Sequence, residues 1–495
     1  MKLDQLLRGI VEQIPSGSDV EVTGITHDSR RVEKGFVFAA IAGENNDGHR
    51  FLPDAVRRGA SALIVSHPSA RKSGVPEIIA ADTRSLLADL SARFFEEPTL
   101  SLRVFGVTGT NGKTTVTYLL ESILKESGRT PGVIGTINYR FGGRIESAPN
   151  TTPESDELQS LFSEMRQGGV TDAVLEVSSH ALSQGRVRGT HFDGAAFTNL
   201  SRDHLDYHGD LAGHFNSKKR LFNDFLPASR KSRKFAVLNA EDPRSRDLES
   251  FSPVRTIRTG LHEPCDVFAS SFDLSPKGIR AEILTQGRRL TVTSPLLGRH
   301  NLENILVAVG LGHGAGLSPE AISVGIGRAR SVPGRLESIP NRRGVSVYVD
   351  YAHTPNALTV VGRTLKGLTR GRLITLFGCG GDRDPGKRPE MAKEAAQFSD
   401  FIIVTSDNPR GEDPESIIDQ IVGGLKEVGF SEASYCRITD RRDALEKGVE
   451  MARAGDTLLV AGKGHEDYQI LGERRISFSD QKILKELLGD EADDR

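Results

Sequence analysis

Short apolar runs alternate along this chain with amphipathic segments. In the first hundred residues, EVTGIT (21–26), GFVFAAI (35–41) and SALIV (61–65) are β-rich and bounded by turn formers, which predicts short strands. The texture changes at Glu97-Pro98-Thr99, just before LRVFGVT (102–108). From there strand and helix patterns alternate at the spacing of βαβ units, with TDAVLEV (171–177), GAAFTNL (194–200) and KFAVLN (234–239) as later strands. That rhythm predicts a parallel sheet covered by helices. After the first of these strands, Val116, Leu119, Leu120, Ile123 and Leu124 recur at helical spacing, and Gly128 is placed to end the helix.

A second break falls at SVPGRLE (331–337), after which the α/β rhythm restarts with VSVYVD (345–350), LITLFG (373–378), FIIVTS (401–406) and DTLLVAG (456–462). The stretch 413–428 reads as a helix, with Asp413 as N-cap and Pro414 at its first position. With 495 residues and two breaks, three domains are expected, at about 1–100, 101–334 and 335–495. There is no internal repeat or low-complexity segment, and the acidic tail GDEADDR (489–495) is expected to fray.

Composition narrows the class. Lys and Arg number 64 against 66 Asp and Glu, a net charge of −2, which argues against nucleic-acid backbone as the main partner. No apolar run reaches the roughly 20 residues of a membrane helix, and the N-terminus lacks the order of a secretory signal. Stable membrane insertion is not expected. Three dispersed cysteines fit neither a disulfide framework nor a zinc site, so a reducing cytoplasm is expected.

The sharpest chemical signal follows LRVFGVT. GTNGKTT (109–115) joins that strand to the amphipathic helix, the arrangement a phosphate loop requires. Glycines turn backbone N–H groups inward, Lys113 adds a mobile charge and a Thr hydroxyl can reach Mg²⁺. The general pattern would place Gly at 107, where this chain has Val107; Gly109, Gly112, Lys113 and Thr114 keep the rest. Glu176, ending the strand 171–177, is placed like an acidic metal ligand at a strand terminus.

T-G-T-N-G-K-T-T resembles the form this loop takes in the Mur ligase family of ATP-dependent amide-forming enzymes. Further segments match in order: DSR (28–30), NTTPES (150–155), EVSSHAL (176–182), TNLSRDHLDYHG (198–209), GRHNLENILVA (298–308), VPGRLE (332–337), VDYAHTP (349–355), GCGGDRDPGKRPEMA (378–392), DNPR (407–410) and AGKGHEDYQ (461–469). The resemblance spans essentially the whole chain. It implies an N-terminal α/β UDP-binding domain, a central P-loop ATPase domain with a mostly parallel sheet, and a C-terminal Rossmann-like domain. It also implies acyl-phosphate chemistry, in which ATP activates a carboxylate and an amine then displaces phosphate.

Within the family the match is closest to the branch that adds the third residue of the peptidoglycan stem peptide. The implied substrates are UDP-N-acetylmuramoyl-L-alanyl-D-glutamate and meso-diaminopimelate, with ATP and Mg²⁺ as cofactors, acting in a monomer. Residue by residue, ATP falls to Gly109, Thr110, Asn111, Gly112, Lys113, Thr114, Thr115, Asn301, Arg335 and Asp350. The catalytic set is Lys113, Glu176, His204 and Lys218, with metals held by Thr114, Glu176, His204 and Lys218 as its carbamate. Ser29, Asn150, Thr151, Thr152, Ser178, Gln184 and Arg186 would meet the UDP-sugar dipeptide. Arg383, Asp407, Asn408, Pro409, Arg410, Gly462 and Glu466 would meet diaminopimelate, whose far carboxylate suits a bidentate arginine.

Two positions depart from the family pattern: His300 stands where an aromatic is usual, and His214 with Phe215 replaces a Tyr before Lys218. Lys219 makes the lysine register ambiguous; Lys218 places Leu221-Phe222 on the family's apolar pair. The rival expectations are an L-lysine-adding ligase, a folylpolyglutamate synthase or D-Ala-D-Ala-adding ligase of the same superfamily, and a P-loop NTPase without ligase activity.

Overall fold

The computed structural model describes residues 1–43, 46–68, 73–249, 254–285 and 287–489. Among the described residues three large sheets succeed one another along the chain, each with apolar clusters on both faces, and a two-stranded ribbon, Tyr468–Leu471 with Arg474–Ser477, follows the strands of the third. The first has four parallel strands in sequence order, Gly24–Thr26, Phe36–Ala39, Ala62–Val65 and Glu77–Ile79. Alternation divides its side chains: Val37 and Ala39 pack with Leu3, Leu87 and Leu90, while Phe38 and Ala40 pack with Leu52 and Ala55.

The second sheet has eleven strands. At its centre Arg103–Thr108 lies between Asp172–Glu176 and Gly194–Phe197, all parallel. Phe235–Asn239 and Arg255–Gly260 extend it in parallel on one side and Pro131–Ile134 on the other. Apart from Arg255–Gly260, whose two arginines and first threonine are exposed or half-buried, these strands are buried on both faces, which explains their nearly unbroken apolar runs. The helix Lys113–Glu126 lays Val116, Leu119, Leu120, Ile123 and Leu124 into the core, as its periodicity predicts. Gly128, at φ +74°, follows the C-cap Ser127.

Both margins of this sheet are antiparallel. Asn138–Phe141 and Arg144–Ser147 close one side, and Val267–Ser275, Gly278–Thr285 and Arg288–Ser294 the other. The sequence reading, which followed the βαβ rhythm, did not anticipate these wings. Their half-exposed strands alternate polar and apolar positions and lack the long runs that mark buried parallel strands.

The third sheet orders Glu337–Ser338, Ser346–Asp350, Thr457–Ala461, Leu373–Phe377, Phe401–Val404 and Tyr435–Arg437, parallel except for the first. Leu373 and Phe377 face one core, Ile374 and Leu376 the other. The helix Pro414–Glu427 begins as expected, Asp413 accepting from the Glu415 N–H. Of the acidic tail, all but Gly489 lies outside the described residues.

Candidate functional site

The phosphate loop emerges from the C-terminal end of the central strand, where neighbouring strands also deliver Glu176 and Thr198-Asn199. Loop conformation is set by two glycines. Gly109 (φ +147°) approaches Thr198 so closely that a Cβ would sit 1.8 Å from its Oγ1, and one on Gly112 (φ +88°) would sit 2.2 Å from Asn304 Oδ1. The loop is pinned to the adjacent strand end: Thr110 N donates to Asn199 O (2.8 Å), Asn111 N to Asn199 Oδ1 (2.9 Å) and Thr198 Oγ1 to Asn111 O (2.6 Å). Lys113 Nζ donates to the carbonyls of Gly109 and Thr110, both at 2.9 Å. Burial pushes its ammonium below the ordinary lysine range, against the pull of Glu176.

Glu176 is the buried acid of the loop. Thr114 Oγ1 donates to its Oε2 (3.0 Å), and Thr136 donates through both its N–H (3.1 Å) and its Oγ1 (2.8 Å). Arg335 Nη2 donates to Thr114 Oγ1 at 3.3 Å, carrying a cation from the start of the third sheet to the loop. Among the described residues no cluster of three or more His, Cys, Asp and Glu could enclose a metal. A hydroxyl with one carboxylate still fits Mg²⁺, which keeps waters and takes phosphate oxygens rather than an all-protein cage.

A cavity of about 470 Å³ opens beside the loop, lined by Asn111, Gly112, Thr114, Thr115, Asn301, Arg335 and Asp350. Seven of the ten residues expected around ATP thus share one wall. The remaining three, Gly109, Thr110 and Lys113, belong to the loop itself. Asp350 has a more specific job than expected: its oxygens accept from the N–H groups of Leu336 and Ala352, both at 2.7 Å, so it locks the crossover into the third sheet. Leu336 there takes φ +45°. The departing His300 also lines the cavity, and burial pushes its ring down to about 4.

Lys218, 2 % exposed, donates from Nζ to Gly109 O at 2.9 Å. Burial and the charge of Lys113 push it well below its ordinary range, toward the free amine that carbamylation needs. Lys219 is not so enclosed, which supports the register chosen from sequence. His204 adopts φ +54°, a left-handed conformation costly for a non-glycine residue, and its Nε2 lies 3.3 Å from Asp203 Oδ2. Its ring meets His180 edge-on at 4.7 Å.

Six of the seven residues expected for the UDP-sugar dipeptide form a polar network at the end of the strand Asp172–Glu176. Thr152 Oγ1 donates to Glu176 O (2.8 Å) and accepts from Ser178 N (3.0 Å). Thr151 and Thr136 pair through their hydroxyls at 3.1 Å, and Asn150 O accepts from Tyr139 at 2.6 Å. Arg186 donates to Gln184 Oε1 (2.9 Å) and Thr152 O (2.9 Å). Ser178 also caps the helix Ser179–Ser183. Ser29 stands on a short turn in the first domain, held near this network by His27–Asp156 (2.9 Å) and Arg31–Glu157 (2.6 Å).

At the C-terminal ends of the third sheet's strands, Arg383, Asp407, Asn408, Arg410, Gly462 and Glu466 line a second cavity of about 590 Å³. Pro409 does not line it; its carbonyl instead packs against Gly381, where a Cβ would lie 1.9 Å away. Arg410 (φ +53°) donates to Gly381 O at 2.8 Å. Gly462 (φ +111°) leaves room for Asp407, whose Oδ2 would be 2.8 Å from a Cβ there. The far wall is His180, Asp203, His204 and Tyr207, so this cavity reaches from the third sheet back to the middle of the chain.

Three functional residues escaped the sequence reading. Lys463, 0 % exposed, donates to Glu466 Oε2 (3.1 Å) and Asn408 Oδ1 (3.3 Å), orienting both. Thr136 completes the shell of Glu176, and His353 lines both cavities. Thr136 lies in no quoted segment, but Lys463 lies inside the quoted AGKGHEDYQ run and His353 inside VDYAHTP, so both were within reach.

Comparison with known proteins gives three family models in chain order: "Mur ligase family, catalytic domain" over 21–96, "Mur ligase middle domain" over 107–312 and "Mur ligase, glutamate ligase domain" over 334–464. The UDP-N-acetylmuramoyl-L-alanyl-D-glutamate–2,6-diaminopimelate ligase of Geobacter metallireducens is 44 % identical, covering 97 % of each chain. Its counterpart in Geobacillus kaustophilus is 40 % identical, covering 95 % of each. A solved structure of such a ligase superposes with a TM-score of 0.70 at 32 % identity, covering 99 % of both chains. A MurF structure from Acinetobacter baumannii, 21 % identical with a TM-score of 0.68, shares the fold.

Proposed function

This chain belongs to the Mur ligase family, and from that premise we propose that it is the ATP-dependent ligase that joins meso-2,6-diaminopimelate to UDP-N-acetylmuramoyl-L-alanyl-D-glutamate in peptidoglycan precursor synthesis. The observation that carries the substrate choice is the second cavity. It opposes Arg383 and Arg410 to Asp407 and Glu466 at one end and opens on His204 and Tyr207 at the other. A zwitterion with a carboxylate at its far end finds cations and anions there, and its amine can point toward the middle domain.

The division of labour follows: residues 1–100, with Ser29, meet the UDP-sugar whose dipeptide runs along 150–186; residues 101–334 hold ATP, joined by Arg335 and Asp350; and 335–495 hold the amino acid. ATP and Mg²⁺ supply the transferable phosphoryl group and the positive charge that offsets it. Thr114 and Glu176 would hold one Mg²⁺, and His204 with Lys218, as its carbamate, a second. The loop N–H groups and Lys113 bind phosphate oxygens, while Arg335 carries charge across from the third sheet. Lys463 keeps Glu466 and Asn408 facing the amino acid. No helix among the described residues is long and apolar enough to cross a membrane. The near-neutral charge speaks against nucleic-acid backbone as the main partner, and three cysteines dispersed along the sequence suit a reducing cytoplasm.

Phosphate release tests the proposal. It is expected only when ATP, the UDP-sugar dipeptide and the amino acid are all present, with meso-diaminopimelate far ahead of L-lysine and L-ornithine. Release with ATP alone would favour a plain NTPase, and preference for lysine would favour the lysine-adding ligase.

A further inference from the structure

The helix Leu211–Arg220 carries a second buried polar group beside Lys218. His214 stands one turn earlier on the same face, and the two side chains are 0 % and 2 % exposed. Its ring stacks on His208 (centroids 5.0 Å, planes 14° apart) and meets His204 nearly edge-on at 6.2 Å. Neither ring nitrogen has a hydrogen-bond partner among the described residues. A histidine ring, neutral or charged, keeps at least one N–H. A buried donor with no acceptor is costly, and it calls for an acceptor close by.

We propose that His214 is a positioning residue for Lys218, its ring N–H donating to an oxygen of the carbamate that Lys218 carries. The inference rests on the carbamate reading given above. In forming that group, the Nζ lone pair bonds to the carbon of CO₂. One C–O π pair becomes the oxyanion, and an N–H proton leaves to solvent. The N–H that stays on Nζ preserves the bond to Gly109 O (2.9 Å). The two new oxygens then need donors in a pocket closed to water. On this helix His214 is the donor already in place, one turn away. A tyrosine hydroxyl at 214 would donate in the same sense, whereas an apolar ring of similar size would not.

The test uses the full chain with ¹³C-bicarbonate, reading the carbamate carbon by NMR and assigning it by its loss in Lys218→Ala. At fixed bicarbonate, His214→Phe is expected to lower carbamate occupancy at least fivefold, while His214→Tyr and His214→Gln stay within twofold of wild type. Equal occupancy in wild type and His214→Phe overturns the role of His214. A wild type with no carbamate signal at any bicarbonate concentration overturns the carbamate itself, and the role of His214 with it. Should His214→Phe fail to fold, ¹⁵N-histidine-labelled wild type decides. Bicarbonate is then expected to displace one ring N–H signal that is missing from His214→Tyr, and an unmoved signal refutes the proposal.

Discussion

Glu176 works through crowding. Three donors converge on its carboxylate, and Gly135 passes so near that a Cβ there would lie 2.3 Å from Oε1. Replacing it by Gln would set an amide N–H₂ against groups that themselves donate, while removing the charge that would hold Mg²⁺ on the proposed reading. Glu176→Gln is therefore expected to cost about 1–3 kcal/mol of stability. It should also raise the Mg²⁺ concentration needed for half-maximal phosphate release by about tenfold, one charge-assisted contact being worth roughly 1.4 kcal/mol or more. A Mg²⁺ titration at saturating ATP checks this, and an unchanged midpoint would remove Glu176 from the metal. Arg410 acts on specificity instead. Arg410→Ala is expected to cost diaminopimelate about 2–5 kcal/mol in kcat/KM, the range for stranding a buried charged partner. Lysine, without the far carboxylate, should lose much less, and equal losses would refute the assignment. Both residues were legible in the sequence because each sits in a short run, EVSSHAL or DNPR. Thr136 was not, because only the fold brings it to Glu176, 40 residues away.

At the scale of elements, one buried ion pair underlies two of the loops that line the second cavity. Arg441 opens the helix Arg441–Met451, and Asp480 opens Asp480–Leu488; both side chains are fully buried and pair at 2.8 Å. The same guanidinium donates to Ser406 O (3.3 Å) and Ala461 O (3.1 Å), the residues just before Asp407 and Gly462. The pair thus joins the last helix to two loops that line the site. Asp480→Ala would leave a buried cation unmatched and is expected to destabilise the protein by about 3–5 kcal/mol. Urea unfolding measures this, and a loss below about 1 kcal/mol would show the pair to be dispensable. Nothing local announces such a pair, since its members are 39 residues apart and each looks like an ordinary helix-end residue. Strands buried on both faces, such as Arg103–Thr108 and Leu373–Phe377, were plain from their apolar runs. The wings at 138–147 and 267–294 were missed because half-exposed strands dilute that signal.

Across the whole molecule, histidines give the fold opposing responses to acid. His214, His465 and His300 are held neutral by burial, at about 2, 3 and 4, whereas an unfolded histidine titrates near 6.5. An unfolded histidine is half protonated at about pH 6.5 and almost fully so at about pH 5, so across that range the unfolded chain binds from about 1.5 to about three more protons than the folded one. Each proton contributes about 1.4 kcal/mol per pH unit, so these residues predict a loss that steepens from roughly 2 to roughly 4 kcal/mol per unit as pH falls. His27 behaves in the other direction. Burial alone would lower it, but the hydrogen bond and charge of Asp156 outweigh that and raise it above its ordinary value. Its contribution is fully present below about 6.5 and is lost as pH rises through the raised value. Because Asp156 lies on the helix Ser155–Gln167, the pair His27–Asp156 fastens the first sheet to the part of the chain that carries the second. His27→Gln should accordingly be less stable than wild type at about pH 6, with the gap closing as pH rises through the raised value of His27. Thermal melts of both proteins at matched pH test this. A gap that does not change with pH would mean the contact holds the two sheets together without any contribution from the charge on His27.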